Sequence, residues 1–299
     1  MALERVVAKT KALHIATIAQ QYFAKITGVV NKQKTNVSST NTNSTIMMIV
    51  VAAIPALGIW VLIAFLPGIF VFLISLLLLW VCLGCPVTRQ TYKRYLQAAN
   101  REDFEACSLY SEKLGNQDGD LSNVGKQLVV VNYRQYASVV IFFVLFGLPG
   151  MVFYSLCKEW YLKRNEELNA QGQSHSESLA ASEDDDSNVI LQRDEDTAIQ
   201  PSEEKVMFIL DWLPSRITAF GFLLVGHFSQ GLPTWLNTIM NPATSAYDVL
   251  TQVAKSSEEL APCENPQLQE PLLMVRLVKR NTIFLLMVIS VLTLAGFVS

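Results

Sequence analysis

Residues 45–66 read TIMMIVVAAIPALGIWVLIAFL, a run without a single charge. As an α-helix it would be about 33 Å long at 1.5 Å per residue, enough to cross the hydrocarbon core of a bilayer. Pro55 bends such a helix mildly, which membrane helices tolerate. Pro67 and Gly68 then make a turn, and residues 69–85 (IFVFLISLLLLWVCLGC) supply a second span. Residues 45–85 therefore predict a transmembrane helical hairpin.

Working outward, residues 135–157 (QYASVVIFFVLFGLPGMVFYSLC) form a third uncharged stretch, interrupted by Gly147, Leu148, Pro149 and Gly150. The break fits two forms, one kinked span or a re-entrant pair of half-helices. Residues 281–298 make a C-terminal span flanked by Arg276, Lys279 and Arg280, in a terminal segment of 281–299. A weaker candidate span lies at 217–240 within a helical segment 206–280. It holds His227, Gln230, Asn237 and a Gly231-Leu232-Pro233 break. A helix buried in a bundle or lying against the membrane fits it as well as a crossing does.

Composition agrees. The chain has 299 residues, 51% hydrophobic and 16% charged, against about 25% charged in an ordinary soluble domain. Mean hydropathy is +0.30. These values exclude a purely soluble globular enzyme and predict an all-α, polytopic helical membrane protein with amphipathic cytoplasmic helices. The net charge of −3 carries no basic signature of a nucleic-acid partner.

Charge is distributed unevenly. Residues 1–44 hold six Lys/Arg and one acid, and residues 86–134 hold seven and six. The positive-inside rule places both in the cytoplasm. The first reads as a basic amphipathic segment, in which Lys9, Lys11, Lys25, Lys32 and Lys34 either touch anionic lipid heads or simply fix topology. The second reads as amphipathic helices, with Tyr92 and Leu96, then Phe104, Cys107 and Leu114, at helical spacing. Asn100 is placed to cap the second of them and Gly115 to stop it. Residues 158–211 hold five Lys/Arg and fourteen acids. An acidic flexible loop is expected over 158–205, and its acidic run 183–186 lacks the spacing of a calcium loop. A single crossing at 135–157 would export Lys158, Lys163 and Arg164, against the rule.

Motifs of catalysis are scarce. Five cysteines, at 82, 85, 107, 157 and 263, read as small buried thiols rather than a disulfide framework. Gly119 to Gln127 has the wrong spacing for a phosphate loop, and Gln127 stands where magnesium needs Ser or Thr. Three scattered histidines, His14, His175 and His227, make no metal site. Nothing calls for a metal or a cofactor.

One stretch stands out, Leu210-Asp211-Trp212-Leu213-Pro214-Ser215-Arg216-Ile217-Thr218. Asp211 and Arg216 border an apolar helix, where lone charges are costly. Pro214 suits the first turn of a helix, with Trp212 beside that boundary. Asp211 and Arg216 are placed to pair at this entrance. Alternatively, with His227 about three turns further on, they bind an anionic ligand at the membrane boundary.

Several stretches resemble the AmpE family of Gram-negative inner-membrane proteins. They are residues 95–103 (YLQAANRED), 131–134 (VNYR), 210–216, 225–227 (VGH), 232–235 (LPTW) and 247–250 (YDVL). The resemblance implies an inner (plasma) membrane location and modulation of β-lactamase induction and of the response to β-lactam antibiotics. It implies signalling through cell-wall fragments, beside the muropeptide amidase AmpD, with such a fragment or another membrane protein as partner besides the bilayer. It also implies an apolar segment upstream of Glu4-Arg5. The Pro214-x-Arg216-Ile217-Thr218 segment is similar to the P-A-R-L-T segment of the CobD/CbiB membrane proteins of cobalamin biosynthesis, with a weaker echo at Phe104-Glu105-Ala106. Three functions follow: a non-enzymatic regulator, a muropeptide permease component suggested by the Gly-Pro breaks, and an amide-forming enzyme of the CobD/CbiB kind.

Overall fold

A computed structural model describes residues 15–33, 42–83, 86–116, 121–180, 202–258 and 266–295. Among them every regular element is helical. The long apolar runs dictate this, because backbone groups inside a bilayer must be satisfied within their own segment. The helices are α1 (Ile15–Gln33), α2 (Thr42–Phe65), α3 (Gly68–Cys82), α4 (Pro86–Ala99), α5 (Phe104–Lys113), α6 (Val124–Asn132), α7 (Ser138–Ala180), α8 (Ser202–Val225), α9 (Phe228–Met240), α10 (Ala246–Ser257) and α11 (Pro266–Leu294). A π-helical turn, Tyr133–Ala137, joins α6 to α7. Stretches within α2, α6–α7, α8 and α11 are long and apolar enough to cross a membrane. The protein is thus an all-α, polytopic membrane protein.

The stretch from α6 through α7 does not run straight. The Lys158 ammonium donates to the Arg134 carbonyl at 3.5 Å, and the rings of Phe142 and Tyr154 stack with centroids 4.5 Å apart. In a straight helix the 24 residues between Arg134 and Lys158 would separate them by about 36 Å. The chain reverses at Gly147, whose φ of 67° and ψ of −158° lie outside the helix. Only glycine visits that region readily. Pro149 enforces the break, since its nitrogen carries no hydrogen to continue the preceding helix. The uncharged arms, residues 135–146 and 148–157, are about 18 and 15 Å long, roughly half a bilayer core. The segment is a helical hairpin that folds back at Gly147. The fold-back brings Lys158 beside Arg134.

A second reversal corrects the expected span at 217–240. Helix α8 ends at Val225, Gly226 and His227 turn the chain, and α9 runs back along α8. The Trp235 indole donates to the Arg216 carbonyl at 3.2 Å, and Arg216 donates to the Thr238 carbonyl at 3.4 Å. The crossing segment lies earlier, at Glu203–Val225. Helix α10 closes over the turn, where the Ser257 carbonyl accepts from the His227 amide at 2.9 Å. A Cβ on Gly226 would stand 2.5 Å from that carbonyl oxygen. Backbone cannot yield as a side chain can, so Gly226→Ala is expected to destabilise the protein by about 1–3 kcal/mol. A lowered melting temperature in detergent, with normal membrane insertion, checks this.

Other differences are local. Pro214 was expected at a helix start, yet it lies inside α8, because residues 202–213 already form the preceding helical turns. Trp212, expected at the same boundary, is mid-helix as well. Helix α5 is capped by Asp103, which accepts from the Ala106 amide at 3.0 Å, not by Asn100, whose own amide still closes the end of α4 on the Leu96 carbonyl. Gly115, at φ 96°, follows α5 as expected. Phe104 is exposed while Tyr95, Cys107 and Leu114 form the core of this α4–α5 unit with Val124 and Leu128. Helix α7 continues to Ala180, into the stretch read as a flexible loop. Helix α3 ends at Cys82, shorter than the expected second span. The acidic run 183–186, together with Lys9, Lys11, Lys34, His14, Cys85 and Cys263, lies outside the described residues. Cys82, Cys107 and Cys157 are buried free thiols.

Candidate functional site

The two apolar arms of the broken hairpin and helix α8 meet at one buried carboxylate. Asp211 is 4% exposed. Its Oδ1 accepts from the Tyr154 hydroxyl at 2.8 Å and from the Tyr133 hydroxyl at 3.0 Å. The Tyr133 hydroxyl also reaches the Asp211 carbonyl at 3.3 Å. Both tyrosines are buried. A buried carboxylate persists only when its lone pairs are occupied by donors, and two phenols supply that here. Arg134 and Lys158, at the foot of the same hairpin, bring positive charge to bear on it.

Local structure explains how the two hydroxyls converge. Tyr133 opens the π-helical turn, which the Ser138 hydroxyl braces by donating to the Tyr133 and Arg134 carbonyls at 3.1 and 3.3 Å. A π-turn inserts one extra residue into the helix and shifts the register of the side chains around it, a distortion frequent at functional sites. Tyr154 arrives from the returning arm, its ring pressed against Phe142. The fold-back at Gly147 therefore builds the pair. Lys158 is itself buried and pairs with Glu159 at 3.3 Å.

Arg216 takes no part in this cluster. Five positions along α8 carry it about 140° round the helix from Asp211. Its guanidinium, 5% exposed, donates to the carbonyls of Trp212 at 3.0 Å, Thr238 at 3.4 Å and Asn241 at 3.4 Å. It also lies over the Trp212 ring, 4.4 Å from the centroid. Thr238 and Asn241 stand at the C-terminus of α9, where unpaired carbonyls and the helix dipole favour a cation. Arg216 thus pins α9 back onto α8. Its Nε has no partner among the described residues. The expected Asp211–Arg216 ion pair is not formed.

His227 is exposed and precedes α9. Sixteen residues of helix put it about 24 Å along α8 from Asp211. The structure therefore does not gather Asp211, Arg216 and His227 into one pocket. The partners of Asp211 that sequence reasoning missed, Tyr133 and Tyr154, lie 78 and 57 residues away, where no spacing rule reaches. Among the described residues no group of three His, Cys, Asp or Glu could hold a metal.

A carboxylate buried where broken helices meet defines a multi-pass, all-helical membrane protein with an internal polar cluster. Sequence comparison adds its kinship. The chain belongs to the AmpE family, described as "Regulatory signalling modulator protein AmpE", which it matches over residues 3–178 and 190–299. Protein AmpE of Shigella flexneri is 25% identical over 238 residues, covering 75% of this chain and 74% of that protein. No solved structure matches. Family and spans together give the protein a regulatory role in a membrane.

Proposed function

We propose that this protein modulates β-lactamase induction from the inner membrane of a Gram-negative bacterium, without catalysing a reaction, in response to a cell-wall fragment or a partner membrane protein. The observation that carries this reading is Asp211, buried and held by hydroxyls from both arms of the broken hairpin. Such a cluster couples three segments, the π-turn, α7 and α8, so a ligand that displaces one hydroxyl shifts all three. Ligands act on such equilibria only through differential contacts with the two states. Arg216 has a positioning role, since it fixes α9 against the helix that carries Asp211. His227 is too remote to share the ligand.

The test is β-lactamase induction in a deletion strain complemented with wild type, Asp211→Asn or Tyr154→Phe, with membrane levels of each measured by blot. Induction changed by the deletion and not restored by well-inserted variants is the expected result. Unchanged induction in the deletion would remove the proposal.

A second reading, a muropeptide permease component, is favoured by the two reversals at Gly147 and Gly226. Interrupted helices of this kind form substrate sites in transporters. Labelled anhydromuropeptide entering vesicles only when the protein is present would support it. The CobD/CbiB-like reading is weakened, because the Arg216 of the shared segment is engaged by backbone carbonyls.

A further inference from the structure

Between α2, the broken hairpin and α8 lies a cavity of about 620 Å³. Ala53, Ala56 and Trp60 form one wall, Phe142 and Phe146 another, and Leu210 a third. No charged residue lines it. The rim side chains Leu57, Trp60 and Phe146 are 62%, 63% and 63% exposed, on helices that lie in the membrane, so the cavity opens sideways into lipid. Its size falls within the range of small-molecule sites, about 300–1,000 Å³.

We propose that this cavity binds one acyl chain of a bilayer phospholipid. Water finds no hydrogen-bonding partners on such walls and does not stay. The opening faces the hydrocarbon of the bilayer, in which phospholipid acyl chains are the bulk component. The site also has a readout inside the protein. Phe142, which an inserted chain touches, stacks on Tyr154 with an interplanar angle of 17°, and Tyr154 donates to Asp211. Leu210, on the opposite wall, is the chain neighbour of Asp211. An acyl chain in the cavity therefore bears on the back of the polar cluster. The inference stands on the cavity alone and does not depend on the regulatory reading above.

The full-length protein in vesicles of phosphatidylethanolamine and phosphatidylglycerol, doped with a phosphatidylcholine carrying a diazirine in mid-chain, provides the test. After irradiation, mass spectrometry maps the label. Label concentrated several-fold on peptides containing residues 53–60 and 142–153, relative to the lipid-facing Ile69, Phe72 and Leu76 of α3, is expected. Ala56→Trp fills the cavity and should abolish that excess without altering the label on α3. Ala53→Leu serves the same purpose if the tryptophan variant fails to insert. Even labelling of pocket and α3, or an excess that survives a well-inserted filling variant, would overturn the proposal. So would displacement of the acyl label by an equal concentration of a polyprenyl phosphate, which would assign the cavity to an isoprenoid.

Discussion

Asp211→Ala is expected to lower the stability of the protein by about 3 kcal/mol, because it removes two hydrogen bonds to a charged acceptor at ~1.5–3 kcal/mol each. Hydrogen bonds between membrane helices average only ~0.6 kcal/mol, since the unfolded chain in the membrane finds other partners. Two features place Asp211 above that average. Its bonds are charge-assisted, and both hydroxyls are buried, away from water that could replace the lost acceptor. The alanine removes the side-chain acceptor of both buried phenols and leaves Tyr133 the backbone carbonyl of residue 211. Thermal or denaturant unfolding in detergent, followed by tryptophan fluorescence, measures the loss.

Asp211→Asn separates geometry from charge. Its amide oxygen can accept both hydroxyls, and burying a neutral group avoids the desolvation cost of a carboxylate. Stability close to wild type is expected. If the asparagine variant is stable yet fails in induction, the charge itself is the functional element. If asparagine is as damaging as alanine, the carboxylate is needed for folding, through the positive charge of Arg134 and Lys158. Either way the comparison isolates one property of one side chain.

Hydropathy alone disclosed the fold class, since an uncharged run such as 45–66 has few physical alternatives to a membrane helix. The Gly-Pro breaks at 147–150 and 231–233 were visible too. Their consequences were not. A glycine marks where a chain is free to turn, but the direction depends on which surfaces then pack, and Phe142 meeting Tyr154 is a tertiary event. For the same reason the second reversal falls at Gly226, ahead of the Pro233 that local propensity would choose. Asp211 and Arg216 stood out correctly as charges in an apolar setting. Pairing them by proximity in sequence failed because five residues leave side chains on different faces of a helix. Pro214 misled in the same local way. Proline marks first turns on average, and here an apolar run upstream continued the helix through it.

Gly147→Val is expected to produce the largest structural failure. The backbone there occupies a region that is essentially restricted to glycine, with a strain of order 1–3 kcal/mol for other residues. A β-branched side chain adds its own steric restriction at χ1. Gly147→Ala should therefore cost ~1–3 kcal/mol and Gly147→Val more. The cost does not stay local. The reversal creates the Phe142–Tyr154 stack, the Lys158–Arg134 contact and the convergence of two tyrosines on Asp211, and all three disappear if the arms separate. Single cysteines at Lys126 and Lys163, on a cysteine-free background, test the geometry with a membrane-impermeant maleimide. A re-entrant hairpin labels both from one side of the membrane. A straight crossing labels them from opposite sides and would refute the fold-back. In the valine variant, loss of assembled protein or mixed sidedness is expected, with the alanine variant between it and wild type. That ordering would tie the polar cluster to the one backbone conformation that assembles it.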